Sequence, residues 1–331
     1  MRKIKFSTEE STGVPKYLQL VDSVMTALQK GDLREGEGLP SVNQLIRSNR
    51  ISRDTIVKAY NELKKRGVIE AIPNKGYFIR KDGEKILLFL DTYSAFKESL
   101  YNAFREELPE TTEIEILFHH YNFRVFESMI ENSRGRYSKY VIMCYDDPRI
   151  AEVLKKIPRE KIIILDVKMH VPDDYSCVIQ DFDRSFYNCL AGAESRLRKY
   201  SEILFVHPPQ TMHPVVARKA FKRFCKDKSL KGTVVDHLEP AGIKKGKAYI
   251  VISDNDLALI IETGKKKKLS PGKDIGLISY NDTPLKKIIG NGVSVISADF
   301  GQMGKRAAMA VKGKEHVNEV IPAELILRDS V

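Results

Sequence analysis

The sequence predicts an α/β chain in two parts: a helical head ending in a short β-ribbon, then a larger domain built on parallel sheets. Three observations point there. In residues 39–79 two short helical segments, each opened by a serine, precede two β-rich runs separated by a Pro-Asn-Lys-Gly turn. After residue 84, short and continuously apolar runs alternate with helical stretches, the pattern of strands buried on both faces of a doubly wound sheet. Charge is also uneven. The 331 residues carry 55 Lys and Arg against 44 Asp and Glu, a net +11, and residues 1–80 hold 15 basic and 9 acidic residues, over half of that excess. A head so charged suits an anionic partner.

Residues 17–30 place Leu18, Val21, Met25 and Leu28 on one helical face, so this first helix is expected to close a three-helix core. Ser41 follows a proline and stands three residues before Gln44. That is a capping box, opening a short helix with Val42, Leu45 and Ile46 inward. Ser52 caps the next helix, whose apolar positions are Ile56, Ala59, Tyr60 and Leu63. Its other face shows Arg53, Thr55, Lys58, Lys64 and Lys65, suited to a polyanionic groove. Gly67 ends it. Val68–Ile72 and Tyr77–Ile79 then form a hairpin around Pro73, Asn74, Lys75 and Gly76, with Lys75 at the tip. This is the layout of a winged helix-turn-helix. Ser41, Asn43, Gln44, Ser52, Arg53, Thr55, Lys58, Lys75 and Gly76 are the candidate DNA contacts. Arg53 is the candidate base reader, because Arg to guanine is the commonest specific contact.

Pro15, Tyr17, Gln19, Gly31, Leu39-Pro40-Ser41, Ile51-Ser52-Arg53, Thr55, Ala59-Tyr60, Leu63, Gly67 and Lys75-Gly76-Tyr77 resemble the GntR family of bacterial regulators. The resemblance implies sequence-specific binding to double-stranded operator DNA. Asn43 stands where that family usually has Arg, and Val57 where some members have another. An Asn reads a base edge without adding charge, so no operator sequence carries over.

The domain boundary is expected at residues 81–84, a short charged stretch holding Gly83. Beyond it, residues 85–331 form the second domain. Candidate strands are Ile86–Leu90, Ile114–Phe118, Tyr140–Cys144, Ile162–Leu165, Ile203–Val206, Ala248–Ile252 and Ile275–Ile278. Lys265–Lys268 follows Gly264 at an expected helix end, where positive charge complements the dipole. Just past the strands come Asp91, Tyr145-Asp146, Asp166, His207, Asp254-Asn255-Asp256 and Tyr280-Asn281-Asp282. In open α/β sheets ligands bind outside the carboxyl ends of strands, so these groups are expected to share one crevice. Any single one of them also serves as a helix cap.

Leu165-Asp166-Val167, Asp254–Leu259, Leu269–Asp282, Ser294–Ala308 and Pro322–Ser330 resemble, in order, the effector domain of the LacI family, which has the type I periplasmic-binding-protein fold. The resemblance implies two lobes with a small molecule between them, bound by the positions matching Asp166, Asp254 and Asn281. Asp254 stands where Asn is usual and Asn281 where Asp is usual, which alters donor placement. Arg218, three residues before Phe221, is an offset match to an Arg of that family. Asp91, Tyr93, Phe96 and Tyr145 complete the candidate effector set, the three rings as a stacking platform for the apolar face of a sugar. A GntR-like head on such a domain resembles the arabinose repressor subgroup. It implies a cytoplasmic, homodimeric, sugar-responsive regulator.

Other classes fit less well. Residues 1–14 are polar, and apolar runs such as Ile86–Leu90 are too short to span a bilayer. Cys144, Cys177, Cys189 and Cys225 show no metal or disulfide spacing and read as reduced thiols. His119 and His120, as neighbours on a strand, would point to opposite faces, so no metal is expected there. Fused aminotransferase and all-helical metal-binding domains do not fit the length and the β-rich alternation. The remaining alternative is a sugar-modifying enzyme on a Rossmann-like sheet. No Gly-rich dinucleotide fingerprint, P-loop or nucleophile elbow supports it, and neither catalysis nor a cofactor is expected.

Overall fold

A computed structural model describes residues 13–49, 51–73, 75–80, 84–313 and 315–331; residues 81–83 of the expected linker lie outside them. In the head, α1 (Lys16–Gln29), α2 (Val42–Asn49) and α3 (Arg53–Lys65) precede the antiparallel pair β1 (Ile69–Ile72) and β2 (Gly76–Ile79). Leu20, Val24, Leu45, Ile56, Tyr60 and Leu63 fill its core. The buried face of α1 is Leu20, Val21, Val24, Met25 and Ala27. Leu18, expected inside, is only half-buried and lines a cavity shared with the second domain.

The second domain begins with β3 (Lys85–Leu90), α4 (Ala95–Glu106), β4 (Glu113–Phe118), α5 (Phe123–Ser133), β5 (Lys139–Met143), α6 (Ile150–Leu154), β6 (Ile162–Asp166) and β7 (Ser176–Gln180). It continues through α7 (Arg184–Gly192), α8 (Glu194–Leu197), β8 (Glu202–Val206), α9 (Val216–Asp227), β9 (Gly232–Val235), β10 (Lys247–Val251), α10 (Asp254–Lys267) and β11 (Gly276–Tyr280). Last come β12 (Ser294–Ala298), α11 (Phe300–Lys312), β13 (Asn318–Ile321) and β14 (Ala323–Ile326).

Two six-stranded sheets result, ordered β13-β7-β6-β5-β3-β4 and β14-β12-β11-β10-β8-β9. All their pairings are parallel except β12 with β14. Each sheet is covered on both faces, by separate apolar clusters. The chain passes between the lobes three times. β7 of the first lobe leads into α7, which packs on the second; β12 of the second leads into α11, which packs on the first; β13 of the first leads through Pro322 into β14 of the second. Every crossing leaves from the carboxyl end of a strand, so the carboxyl edges of the two sheets face each other.

All seven predicted strands are present within two residues of their expected ends. The remaining strands of the domain escape a search for continuous apolar runs. β9, β13 and β14 are edge strands that keep exposed residues, and β7 and β12 are shortened or interrupted by serine. α10 runs through Gly264 to Lys267, correcting the expected end. A Cβ at Gly264 would stand 2.9 Å from the Leu269 carbonyl oxygen, so the glycine serves the returning chain.

A closer approach joins α11 to α4, where a Cβ at Gly304 would lie 2.2 Å from the Leu100 carbonyl oxygen. Backbone cannot yield as a side-chain tip can. Gly304→Ala is therefore expected to destabilise the domain by about 1–3 kcal/mol in urea unfolding; an unchanged midpoint would contradict this helix contact.

Candidate functional sites

The head presents a charged surface on a rigid base. Ser41 Oγ accepts from Gln44 N at 3.2 Å, while Gln44 Oε1 accepts from Ser41 N at 2.7 Å, the reciprocal capping box. At the start of α3, Ser52 Oγ accepts from Thr55 N at 3.3 Å and lies 2.8 Å from the Thr55 hydroxyl. Tyr60 Oη donates to the Pro40 carbonyl at 2.6 Å, and its ring meets Tyr77 of the wing edge-on at 4.7 Å. One buried side chain thus ties the loop before α2, the helix α3 and the wing together. Outside that frame Ser41, Asn43, Gln44, Ser52, Arg53, Lys58, Lys75 and Gly76 are exposed, and Thr55 is half-buried. Arg53, Lys58 and Lys75 have no ion-pair partner among the described residues. Asn74, at the turn, lies outside the described residues.

In the first lobe, the polar groups past the strands are held by separate sets of hydrogen bonds. Asp91, just past β3, accepts from Lys97 Nζ, from Tyr121 Oη at 2.5 Å and from Thr92 N at 2.6 Å. Burial, the largest single influence, works against its charge, but the Lys97 ammonium together with the hydrogen bonds from Lys97, Tyr121 and Thr92 outweighs it and holds the carboxyl below its ordinary range. Asp166, at the end of β6 with φ of 70°, accepts from Gln180 Nε2. Burial, with Asp91 adding repulsion, pushes its pKa up to about 6. His119 and His120 lie in a turn beyond β4, correcting their placement on a strand. His119 Nε2 is 3.0 Å from the Met143 carbonyl and its Nδ1 accepts from Tyr121 N at 3.2 Å, so the ring is a neutral spacer. Burial lowers its pKa to about 4.

The three candidate stacking rings are not brought together as one platform. Tyr145 is 6% exposed and lies against His119 at 5.1 Å. Phe96 packs on Phe300 at 4.5 Å. Tyr93 is 72% exposed on the loop after β3. Interior packing has taken two of the three.

In the second lobe, Asp254 opens α10 and lies 2.9 Å from Lys286 Nζ, which also donates to the Tyr280 and Asn281 carbonyls at 2.7 and 3.0 Å. Asn281 adopts a φ of 58°, and its Oδ1 is buried without a partner among the described residues. Arg218, on α9, is paired with Asp236 at 3.2 Å. Two further groups stand here. His207 directly follows β8, and His213, on the loop before α9, meets Tyr280 at 4.3 Å, His207 at 5.7 Å and Phe182 of a lobe crossing at 5.1 Å. All four imidazole nitrogens are buried without partners among the described residues, and burial lowers the pKa of His213 to about 3. His207 stands in the strand-end sequence pattern, whereas Lys97, Tyr121, Gln180, His213 and Lys286 have no local signal: each is recruited by folding.

Residues 16–79 match the family described as bacterial regulatory proteins, gntR family. The head is a GntR-family winged helix-turn-helix domain. Curated relatives include the Bacillus subtilis HTH-type regulators YcxD, 36% identical over 70 residues (21% of this chain, 16% of the relative), and YydK, 26% identical over 142 residues (40% and 58%). The arabinose metabolism transcriptional repressor of Geobacillus stearothermophilus is 29% identical over 72 residues (22% and 20%). The matched region spans less than two thirds of each of these relatives. Among solved structures, the trehalose repressor of Escherichia coli superposes with a TM-score of 0.62 at 13% identity, covering 74% of this chain and all of that one. A LacI family regulator of Arthrobacter sp. FB24 in complex with lactose gives 0.63 at 12% identity, covering 75% and 99%. At such identities the likeness establishes the two-lobed fold alone.

Within the GntR frame, Asn43 and Val57 leave Arg53 as the exposed arginine at the start of the reading helix. At the end of β6, Asp166 supplies a pH signature. The unfolded carboxyl ionises near 3.8 and the folded one near 6, so between these values the native state holds the extra proton and stability falls as pH rises. The melting temperature of Asp166→Asn relative to the parent should therefore climb across pH 4–7. A constant difference would mean that Asp166 ionises normally.

Proposed function

We propose that this protein is a bacterial transcriptional repressor whose operator binding is controlled by a monosaccharide held between the two lobes. The observation that carries the reading is the joining, in one chain, of a GntR-family reader to a pair of lobes whose polar strand ends face each other. The site residues support a neutral, hydroxyl-rich ligand. Asp91 is paired with Lys97, Asp254 with Lys286 and Arg218 with Asp236, and Asp166 has no cationic partner among the described residues, so no net positive charge is left to attract an anion. The Asn281 oxygen and the two imidazoles offer donors and acceptors that a polyol would satisfy. Tyr93 is the one candidate ring exposed enough to stack on a sugar face.

In this mechanism two copies of the chain associate through the second domain and present two α3 helices to a near-palindromic operator. Arg53 reads a base edge, while Lys58, Lys75 and the capped helix starts at Ser41 and Ser52 hold phosphates. Asn43, Gln44, Thr55 and Gly76 lie beside them. Sugar between the lobes draws the strand ends together about the three crossings and changes how the heads are held. A coupling of about 1–3 kcal/mol alters operator affinity between several-fold and a hundredfold. The relatives are transcriptional regulators, and the crevice carboxylates serve recognition in this reading. Sugar recovered unchanged after incubation supports it; turnover favours the sugar-modifying alternative.

Two measurements test it. With a DNA fragment selected by the protein from a random pool, affinity should fall steeply as salt rises, and Arg53→Ala should lose preference for that fragment over random DNA by about 1–3 kcal/mol. A flat salt dependence, or an Arg53→Ala variant that still discriminates, would refute the assigned interface. A thermal-shift screen over pentoses, hexoses and deoxyhexoses should raise the melting temperature with at least one sugar, and Asn281→Ala should abolish that rise. No response to any of them would remove the sugar from the proposal.

A further inference from the structure

The head is attached to the first lobe by more than the chain. Asp22, on the exposed side of α1, is 3.1 Å from the Arg134 guanidinium, which also meets Glu131 at 3.0 Å at the end of α5. Gln29 Nε2 donates to the Lys156 carbonyl at 2.9 Å, and Lys156 Nζ is 3.2 Å from Glu131. Gly135 turns here with a φ of 69°, and a Cβ on it would lie 2.8 Å from Met25 Cε. Around these contacts the junction is loosely filled. One cavity of about 560 Å³ is lined by Leu18, Val21 and Met25 of the head and Asn132 of α5, and another of about 190 Å³ lies by Val68 and Tyr137. A junction held by a few polar pins beside open clefts, and not by a packed core, is one that a charge reversal at a pin can release, because partly exposed ion pairs contribute little each.

The other end of α5 lies among the strand-end polar groups of the first lobe. Asn122 caps it, accepting from Arg124 N at 3.0 Å, and Tyr121 directly before donates to Asp91. Phe126, in its first turn, stacks on Phe89 at 5.2 Å and meets His119 at 5.4 Å. With 11 residues, α5 spans about 16 Å between the two. α1 in turn packs against α3 through the head core.

The geometry points to a latch: α1 is pinned to the far end of α5, so the orientation of the reading helix follows the state of the crevice. Pinned, the two heads of a dimer are held at a set spacing; released, neither is held by its lobe and the spacing is lost. What moves the crevice rests on the sensor reading above. Whether the head is pinned does not.

The four native cysteines are buried, so spin labels can be placed selectively at Lys64→Cys on the head and Glu160→Cys on the lobe of the full-length protein. A single narrow distance population is expected. Asp22→Arg, an exposed change that leaves the head core intact, should broaden it severalfold, and adding Arg134→Glu should narrow it again. A broad population in the unmodified protein, or a narrow one in Asp22→Arg, overturns the latch. With a sugar that raises the melting temperature, the ratio of DNA affinities without and with sugar should fall to within about twofold of one in Asp22→Arg and recover in the double variant. A full ratio in Asp22→Arg overturns transmission through α5. If no sugar acts, the sensor reading fails by itself, and the distance populations still decide the latch.

Discussion

The three crossings between the lobes are the constraint on which the rest of the structure depends. Each leaves a sheet at the carboxyl end of a strand. Two parallel sheets joined in this way must turn the same edge toward each other. A parallel strand buried on both faces has few places for a polar side chain, and its end is one of them. Asp91 and Asp166 on one sheet, and His207, Asp254 and Asn281 on the other, therefore stand at edges that connectivity turns toward each other, before any particular ligand is considered. Sheet order sharpens this. β3 and β5 in the first lobe, and β8 and β10 in the second, flank the points where strand order reverses, the positions at which open sheets bind ligands.

The polar groups in the gap divide by whether the fold already satisfies them. Asp91, Asp254 and Arg218 have ion-pair partners, and breaking such a pair to receive a ligand costs its energy. Asn281 and the two imidazoles have none among the described residues. A buried, unsatisfied polar atom costs about 1–3 kcal/mol, and a fold that retains several at one place is explained most simply by a ligand that satisfies them. In the proposed site, paired charges would shape the walls and unpaired neutral groups would meet the ligand. This division favours a ligand that exchanges hydrogen bonds over one that brings charge.

Much of the architecture is legible in the sequence because the forces behind it are local. Serine caps, the capping box of Ser41 and Gln44, the glycine after α3 and the continuous apolar runs of the central strands each act within a few residues. The edge strands β9, β13 and β14 are not legible in this way: half their residues face solvent, so they lack the apolar run that marks a buried strand. The site divides along the same line. Strand-end carboxylates stand at positions the strands announce, but their partners Lys97, Tyr121, Gln180 and Lys286 come from loops and helices that only folding brings near. The aromatic candidates fail as a set for a related reason. Composition identifies Phe96 and Tyr145 as rings near strand ends, but cannot distinguish a ring that waits for a ligand from one already packed on Phe300 or His119.

The physical character of the proposed effector limits how it can act. In the proposed mode of binding, the attraction of the head for DNA comes from phosphate contacts of Lys58, Lys75 and their neighbours, with Arg53 at a base edge, and charges further apart than about 8 Å are screened at physiological salt. A neutral sugar in a crevice separated from the head by the length of α5 cannot weaken that attraction directly. It can only change where the head is held. For a single head, orientation on the lobe matters little, since one reader finds its half-site in any pose that clears the lobe. For two heads on one operator, spacing decides whether both engage together, and losing the second removes the large gain of paired binding. Control by a neutral ligand at a distance therefore requires two copies of the chain and a head whose position is set by its lobe, the condition that contacts between α1 and α5 are placed to meet.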